Sequence, residues 1–396
     1  MPQQAHTSDQ PAPATGPLTG LKVLELGGIG PGPFAAMLLS DMGADVVRVD
    51  RPGPDSQLGA TDVLQRGRRS LVLDLRREES VAVLLDLVEQ ADIVIEGYRP
   101  GVAERLGVGP EDCLARNPRI VYGRMTGWGQ SGPWAQMAGH DINYVALTGA
   151  LHAVGRAGEP PAVPVNLLGD FGAGSTYLVM GVLAALWESR QSGRGQVVDA
   201  AIVDGAASLT TMLHGMLHAG SWKDERGVNL LDTGRPWYDV YETSDGGWMT
   251  VGALESKFYA QFVELLELPA QFTRRPKEDG WPELRKHIAD RFQSKTRAEW
   301  TAIFEHTDAC VAPVLTLGEA ADHPQLRDRQ TFVDIAGVRQ PAPAPRFDRT
   351  PSAVQRPPAR LGEHTLEVLT DWGLTSAEAL IADGIAGNTY QPATTS

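Results

Sequence analysis

A chain of 396 residues with 42% hydrophobic content is long enough for a full core and, by size, for two domains. Its formal charge of −14 argues against nucleic acid as a main partner, so an anionic ligand would need a local basic pocket. The two cysteines, Cys113 and Cys310, exclude a disulfide framework and a four-cysteine metal site and fit a reducing cytoplasm; no run of 18 or more apolar residues is read, so no membrane span is expected.

Residues 1–16 lack the pattern of a signal or transit peptide and read as a disordered leader. The runs Lys22–Leu26, Asp45–Val49, Leu71–Leu75, Asp92–Ile95 and Arg119–Tyr122 are apolar and strand-like, with helical stretches such as PFAAMLLSDMG between some of them. Alternation at this spacing predicts a mostly parallel α/β sheet with right-handed crossovers. From Asp170 to about Gly220 the pattern is helical, interrupted at Gly193–Gly195. Near Gly234 the texture changes: Trp237–Thr243, WMTVGAL and Cys310–Leu315 predict strands, Ser256–Leu266 and Trp281–Phe304 helices. Gln340–Pro358 reads as an extended linker before a last helix in GEHTLEVLTDWGL and a disordered polar tail. The expected division is a large α/β domain over 17–233, a small α+β domain over 234–330, and a return to the large domain over 331–396.

Gly27-Gly28-Ile29-Gly30-Pro31-Gly32-Pro33 lies between the first strand and first helix, where phosphate loops occur, and Asp50 ends the next strand. The dinucleotide pattern fails because Pro33 stands at its third glycine. What remains is a tight turn that lets a ligand approach the backbone at a helix start. Arg51, Arg66, Arg68, Arg69, Arg99 and Arg105 lie where a parallel sheet places ligands, though the stretch from Arg48 to Arg105 is not net basic and also reads as solvated surface. His214 and His218 share a helix face, but HGMLH lacks the glutamate of a zinc-protease motif, and no metal is expected.

The motifs GLKVLELGGIGPGPFAAMLLSDMGADVVRVDRP, IEGYRPGVAERLG, RMTGWGQSGPW, GHDINY, NLLGDFGAGS, GRGQVVDAAIVDG and DACVAPVL occur here in order. Together they resemble family III CoA-transferases and α-methylacyl-CoA racemases from Pro17 to about Leu374. The resemblance implies a Rossmann-like large domain of N- and C-terminal segments, a small α+β domain and an interlocked homodimer. It implies an active site between the large domain of one subunit and the small domain of its partner. Ile29, Arg51, Arg68, Leu73, Leu75 and Arg105 would line the path of CoA, which is part of the substrate, so no separate cofactor is expected.

Transferases of this kind use an aspartate nucleophile, here Asp170; racemases add a histidine and a glutamate, here His140 in GHDINY and Glu255 in VGALESKFY. Ser256 and Lys257 stand where many racemases have Pro and Gln. By resemblance the backbone N–H of Asp141 would stabilise an enolate oxygen, and Asn166 and Tyr238 would position the acids. Inverting a carbon acid needs a base on one face and an acid on the other, roles that an imidazole and a carboxylate can fill in either direction. Spacing alone would make His140 a structural or surface histidine, and Asp170 and Glu255 helix N-caps. The expected activity is racemisation of 2-methylacyl-CoA thioesters; the alternatives are CoA transfer through Asp170, or CoA-thioester binding without turnover.

Overall fold

The computed structural model describes residues 15–54 and 57–387. Most of the expected leader and the expected polar tail lie outside these residues. The chain forms two compact units.

The larger unit runs to Val145 and resumes over Val165–Ser208 and from Asp328 onward. Six parallel strands, β1 (Lys22–Leu26), β2 (Asp45–Asp50), β3 (Arg69–Leu73), β4 (Ile93–Glu96), β5 (Val121–Thr126) and β6 (Val197–Ala201), lie in the order 3-2-1-4-5-6. Their continuous apolar runs suit a sheet covered on both faces. Helices α1 (Pro31–Asp41), α2 (Glu78–Val88), α3 (Val102–Arg105), α4 (Pro110–Arg116), α5 (Asp141–Leu147), α6 (Thr176–Ser192) and α7 (Ile202–Leu209) follow in chain order. The two-residue strand Ala386–Gly387 pairs antiparallel with β3 and covers that edge. The sequence reading missed β6 because the exposed and half-buried Val197–Asp199 carries no alternation to mark a strand.

A nine-residue π-helix, Leu167–Ser175, precedes α6, and together they make a helical run, Leu167–Ser192, long and apolar enough by length and composition to cross a membrane. It does not read as an unbroken apolar stretch because Asp170 and four glycines punctuate it. Leu178, Val182 and Leu186 bury one side of α6, which packs on β5 and β6 as a core helix does.

The C-terminal segment is stapled onto this unit. Trp372 is buried in the core and donates from Nε1 to Asp45 Oδ2 at 2.9 Å, while Arg69 pairs with Asp45, Glu367 and Asp371. The expected linker is partly a hairpin, Phe332–Ile335 with Val338–Pro341, and Arg66 ties it down by donating to Gln340 Oε1 and the Pro341 carbonyl.

The smaller unit comprises Ala146–Pro164 and Leu209–Arg327. It has an antiparallel sheet of Tyr238–Glu242, Trp248–Gly252 and Val311–Pro313, with helices Ser256–Leu265, Trp281–Phe292 and Arg297–Phe304 over an aromatic core. The boundary expected at 233/234 therefore moves to 208/209, and 146–164 joins the smaller unit. Helical periodicity shows that a helix exists but not which core it faces. Arg226 donates to the carbonyls of His152 and Glu159, and Arg156 pairs with Asp239, binding 146–164 to this unit.

Replacing Trp372 by alanine removes a buried ring and an indole hydrogen bond, and is expected to cost about 3–5 kcal/mol in urea unfolding. A loss below about 1 kcal/mol would show that the C-terminal helix is not part of the cooperative core.

Candidate active site

The strand order reverses between β1 and β4, and in open α/β sheets ligands bind outside the carboxyl ends of strands at that point. A cleft of about 410 Å³ lies there. Its walls are Ile29–Pro31 after β1, Gly97–Pro100 after β4, Met125–Trp128 at the end of β5, and residues 135, 137–140, Tyr144, Asp170 and Ile202.

Gly30 holds φ +70°, a left-handed conformation that side chains rarely adopt, and starts α1 with Pro31 at its first position. A Cβ at Gly30 would stand 3.5 Å from Asp170 Oδ2, so loop and carboxylate face each other directly. Ile29 is 85% exposed, an apolar side chain offered to a ligand.

The π-helix of sequence LLGDFGAGS carries Asp170. The Asp170 N–H donates to Asp141 Oδ1 at 2.5 Å instead of closing a helical turn. Gly169 is needed beneath that contact, since a Cβ there would lie 2.4 Å from Asp141 Oδ1. Ser175 Oγ lies 2.8 Å from the Pro31 carbonyl and 2.9 Å from that of Asp170, its single proton joining α1 or the π-helix turn. Asp170 is thus inside a helix and is not an N-cap.

α5 starts at the cleft. His140 precedes it, exposed, with its N–H donating to Asn143 Oδ1 at 3.0 Å. Among the described residues the N–H of Asp141 has no acceptor. Tyr144 packs edge-on against Trp128 and donates its hydroxyl to the Gly139 carbonyl, fixing the backbone just before His140.

Burial pushes Asp170 up to about 6; the Asp141 charge adds to this, while His140 and a hydrogen bond from Asn166 oppose it. Burial also raises Tyr144, with the Asp170 charge adding and Arg99 opposing. Asp141 Oδ2 is buried without a hydrogen-bond partner among the described residues, so its charge is weakly compensated.

His140, Asp170 and Ile29 therefore line one cleft, and Asp141 and Asn166 each bond to Asp170. The expected CoA-path residues divide. Arg51, after β2, and Arg105, at the end of α3, are exposed, and Leu75 follows β3 half-buried. Arg68 is a correction: it is 0% exposed, 3.2 Å from Glu25 Oε2 but off hydrogen-bonding angle, and bonded to Gln65, so it presents no surface to a phosphate. The Leu73 side chain is likewise part of the core, leaving only its backbone for a ligand.

In the smaller unit, Glu255 is exposed at the N-cap position of Ser256–Leu265, yet its side chain makes no capping bond, so that structural reading fails. Tyr238 is half-buried and pairs with Gly252. Sequence reasoning did not single out Tyr98, Trp128 or Tyr144 as cleft residues, although their motifs IEGYRP, RMTGWG and GHDINY were visible. Among the described residues no group of three or more His, Cys, Asp or Glu is placed to hold a metal ion.

Residues 18–365 match the model of CoA-transferase family III. The chain belongs to that family. It is 46% identical to the mouse (Mus musculus) α-methylacyl-CoA racemase over 371 residues, which cover 92% of this chain and 95% of that protein. With the human (Homo sapiens) α-methylacyl-CoA racemase it shares 44% identity over 373 residues, 91% of this chain and 94% of that one. A crystal structure of a CAIB/BAIF family protein from Brucella suis superposes with a TM-score of 0.79 at 26% identity, covering 90% of this chain and all of that one. This is the family III fold.

Asp170 binds its proton more tightly folded than unfolded, so its contribution to stability is greatest below pH 3.8 and is lost as pH rises through about 6. Carbon-13 NMR of the labelled carboxyl is expected to give a midpoint near 6. Asp141→Asn, which keeps an acceptor for the Asp170 N–H and removes the like charge, is expected to lower that midpoint. An unmoved midpoint would remove Asp141 as a cause.

Proposed function

We propose that the protein interconverts (2R)- and (2S)-2-methylacyl-CoA thioesters by removing and returning the α-proton through an enolate. The observation that carries this reading is that one cleft at the strand-order reversal is lined by both His140 and Asp170. The mouse and human relatives bear the name α-methylacyl-CoA racemase and match this chain nearly end to end.

Each group serves one direction. When His140 takes the α-proton, Asp170 in its protonated form delivers one to the opposite face, and the reverse reaction exchanges the roles. A carboxyl held near 6 exists in both forms around neutrality, as this alternation requires. Charge that develops on the thioester oxygen meets the Asp141 N–H at the start of α5. A preorganised donor of this kind is worth roughly 3–4 kcal/mol of barrier. Asn166 holds the Asp170 carboxylate by a hydrogen bond, and the resemblance assigns further acid–base and positioning roles to Glu255 and Tyr238. Ile29, Arg51, Arg105, Leu75 and the backbone of Leu73 receive CoA, while Arg68 braces the sheet beneath them.

The reaction is proton transfer on the substrate's own carbon and uses no cofactor beyond the CoA it carries. The working form is an interlocked homodimer, a reading supported by the large apolar side chains left exposed on the π-helix and α6: Leu167 at 64%, Met180 at 60% and Trp187 at 71%. It acts in the cytoplasm, where its two free cysteines stay reduced, without a membrane or nucleic-acid partner.

In heavy water, one enantiomer of a 2-methylacyl-CoA is expected to gain deuterium at the α-carbon and invert, with no carboxylic-acid acceptor present. His140→Ala and Asp170→Ala should each slow exchange by about 10²–10⁴-fold. Absence of exchange together with acyl transfer to an added acid would replace this reading with CoA transfer, Asp170 attacking the thioester carbonyl and expelling CoA thiolate.

Arg51→Ala and Arg105→Ala are expected to raise KM for the CoA ester more than they lower kcat. Unchanged KM in both would take these arginines out of the CoA site.

A further inference from the structure

The loop between strand Trp248–Gly252 and helix Ser256–Leu265 carries Glu255, and one side chain from a distant part of the same unit grips its backbone. Arg275 Nη2 lies 2.7 Å from the Ala253 carbonyl, 2.7 Å from that of Leu254 and 3.3 Å from that of Glu255. Its two protons serve the short contacts, with the third carbonyl sharing. The guanidinium carbon sits 4.9 Å from the Trp237 ring and 4.7 Å from the Tyr259 ring, both buried, so the group is walled by π-faces on a fixed frame.

That frame is itself braced. The Tyr259 hydroxyl donates to the Phe272 carbonyl, three residues before Arg275, and Trp237 meets Trp281 edge-on, with Arg235 over the Trp281 ring at 4.0 Å. Burial lowers Arg275, and the charges of Tyr259 and Glu255 oppose this, so the Glu255 carboxylate lies within electrostatic reach. The helix N-cap gives Glu255 no side-chain bond to hold it. Its placement therefore depends on its backbone, where Arg275 adds a side-chain grip on three successive carbonyls to the main-chain bonds of Ala253, Leu254 and Glu255.

We propose that Arg275 is a positioning residue of the racemase reaction: packed against both Trp237 and Tyr259, it clamps the carbonyls of Ala253, Leu254 and Glu255 and so fixes where the Glu255 carboxylate works. This rests on the reading that Glu255 takes part in proton transfer. A lysine could bring an ammonium towards these carbonyls but lacks the planar guanidinium that packs against both rings and holds the donor in place.

The test is a double-mutant cycle on deuterium wash-in, with thermal melting to confirm folding. Arg275→Met is expected to lower kcat by about ten- to a hundredfold with KM for the CoA ester within about twofold. Glu255→Gln should lower kcat at least as much, and the double variant should be no slower than Glu255→Gln alone, because both act through one carboxylate. Arg275→Lys, the variant to rely on should Arg275→Met not fold, should give an intermediate loss that also disappears in the Glu255→Gln background.

If Glu255→Gln slows exchange while the Arg275 variants do not, or if their losses multiply with its loss, the proposal is overturned and the role of Glu255 stands. If Glu255→Gln exchanges at the normal rate, the reading of Glu255 fails and takes the proposal with it.

Discussion

The geometry of the cleft depends on one contact, the Asp141 carboxylate receiving the Asp170 amide. Neither partner element is self-sufficient. α5 has seven residues, too few to be stable alone, and a π-helix of nine residues is a costly conformation found mostly at functional sites. The carboxylate spans them, so the backbone bearing the imidazole and the backbone bearing the carboxyl are fixed to each other. The same contact brings two negative charges together and leaves one oxygen of Asp141 unbonded. The contact that sets the position of Asp170 thus also adds, after burial, to its affinity for a proton.

Much of the rest of the larger unit is organised by charge enclosed within the sheet and its coverings. Arg68 faces Glu25, Arg66 pairs with Asp41, Arg69 with Asp45, and Arg124 joins Glu96 to Glu104. Where both partners are buried, as in Arg68 with Glu25, Arg66 with Asp41 and Arg124 with Glu96, such pairs do little for net stability against apolar replacements, but breaking one leaves an uncompensated charge, so they act as fixed locators. With so many arginines committed inside, few remain at the carboxyl ends of the strands. In a chain of charge −14, Arg99, which lines the cleft, and the exposed Arg51 and Arg105 then gain weight.

The parallel sheet was legible because its strands are buried on both faces and read as uninterrupted apolar runs: five of its six parallel strands fall within a few residues of expectation. β6 and the Phe332–Pro341 hairpin were not, since exposed or proline-bearing strands take their identity from a neighbour. Ordered motifs pointed to His140, Asp170 and Glu255, which spacing alone would have left as surface or capping residues. What no motif conveys is exposure. Arg66, Arg68 and Arg69 are adjacent or nearly so and look alike in sequence, yet all three are turned inward, and only the packing of α1, β2 and the C-terminal segment around them decides this. The Arg275 clamp was invisible for the same reason: twenty residues separate it from Glu255, with no periodicity linking them.

The edge strand Ala386–Gly387 bears on biosynthesis. Until it docks, the outer rim of β3 presents unpaired amide and carbonyl groups, a template for any passing extended chain. Because that strand leaves the ribosome more than three hundred residues after β3, every nascent molecule spends most of its translation with this rim uncovered. Sealing it with a segment so much later in the chain defers the end of the exposure until that segment emerges, and places a sensitivity of folding yield at residues 386–387, outside the candidate site.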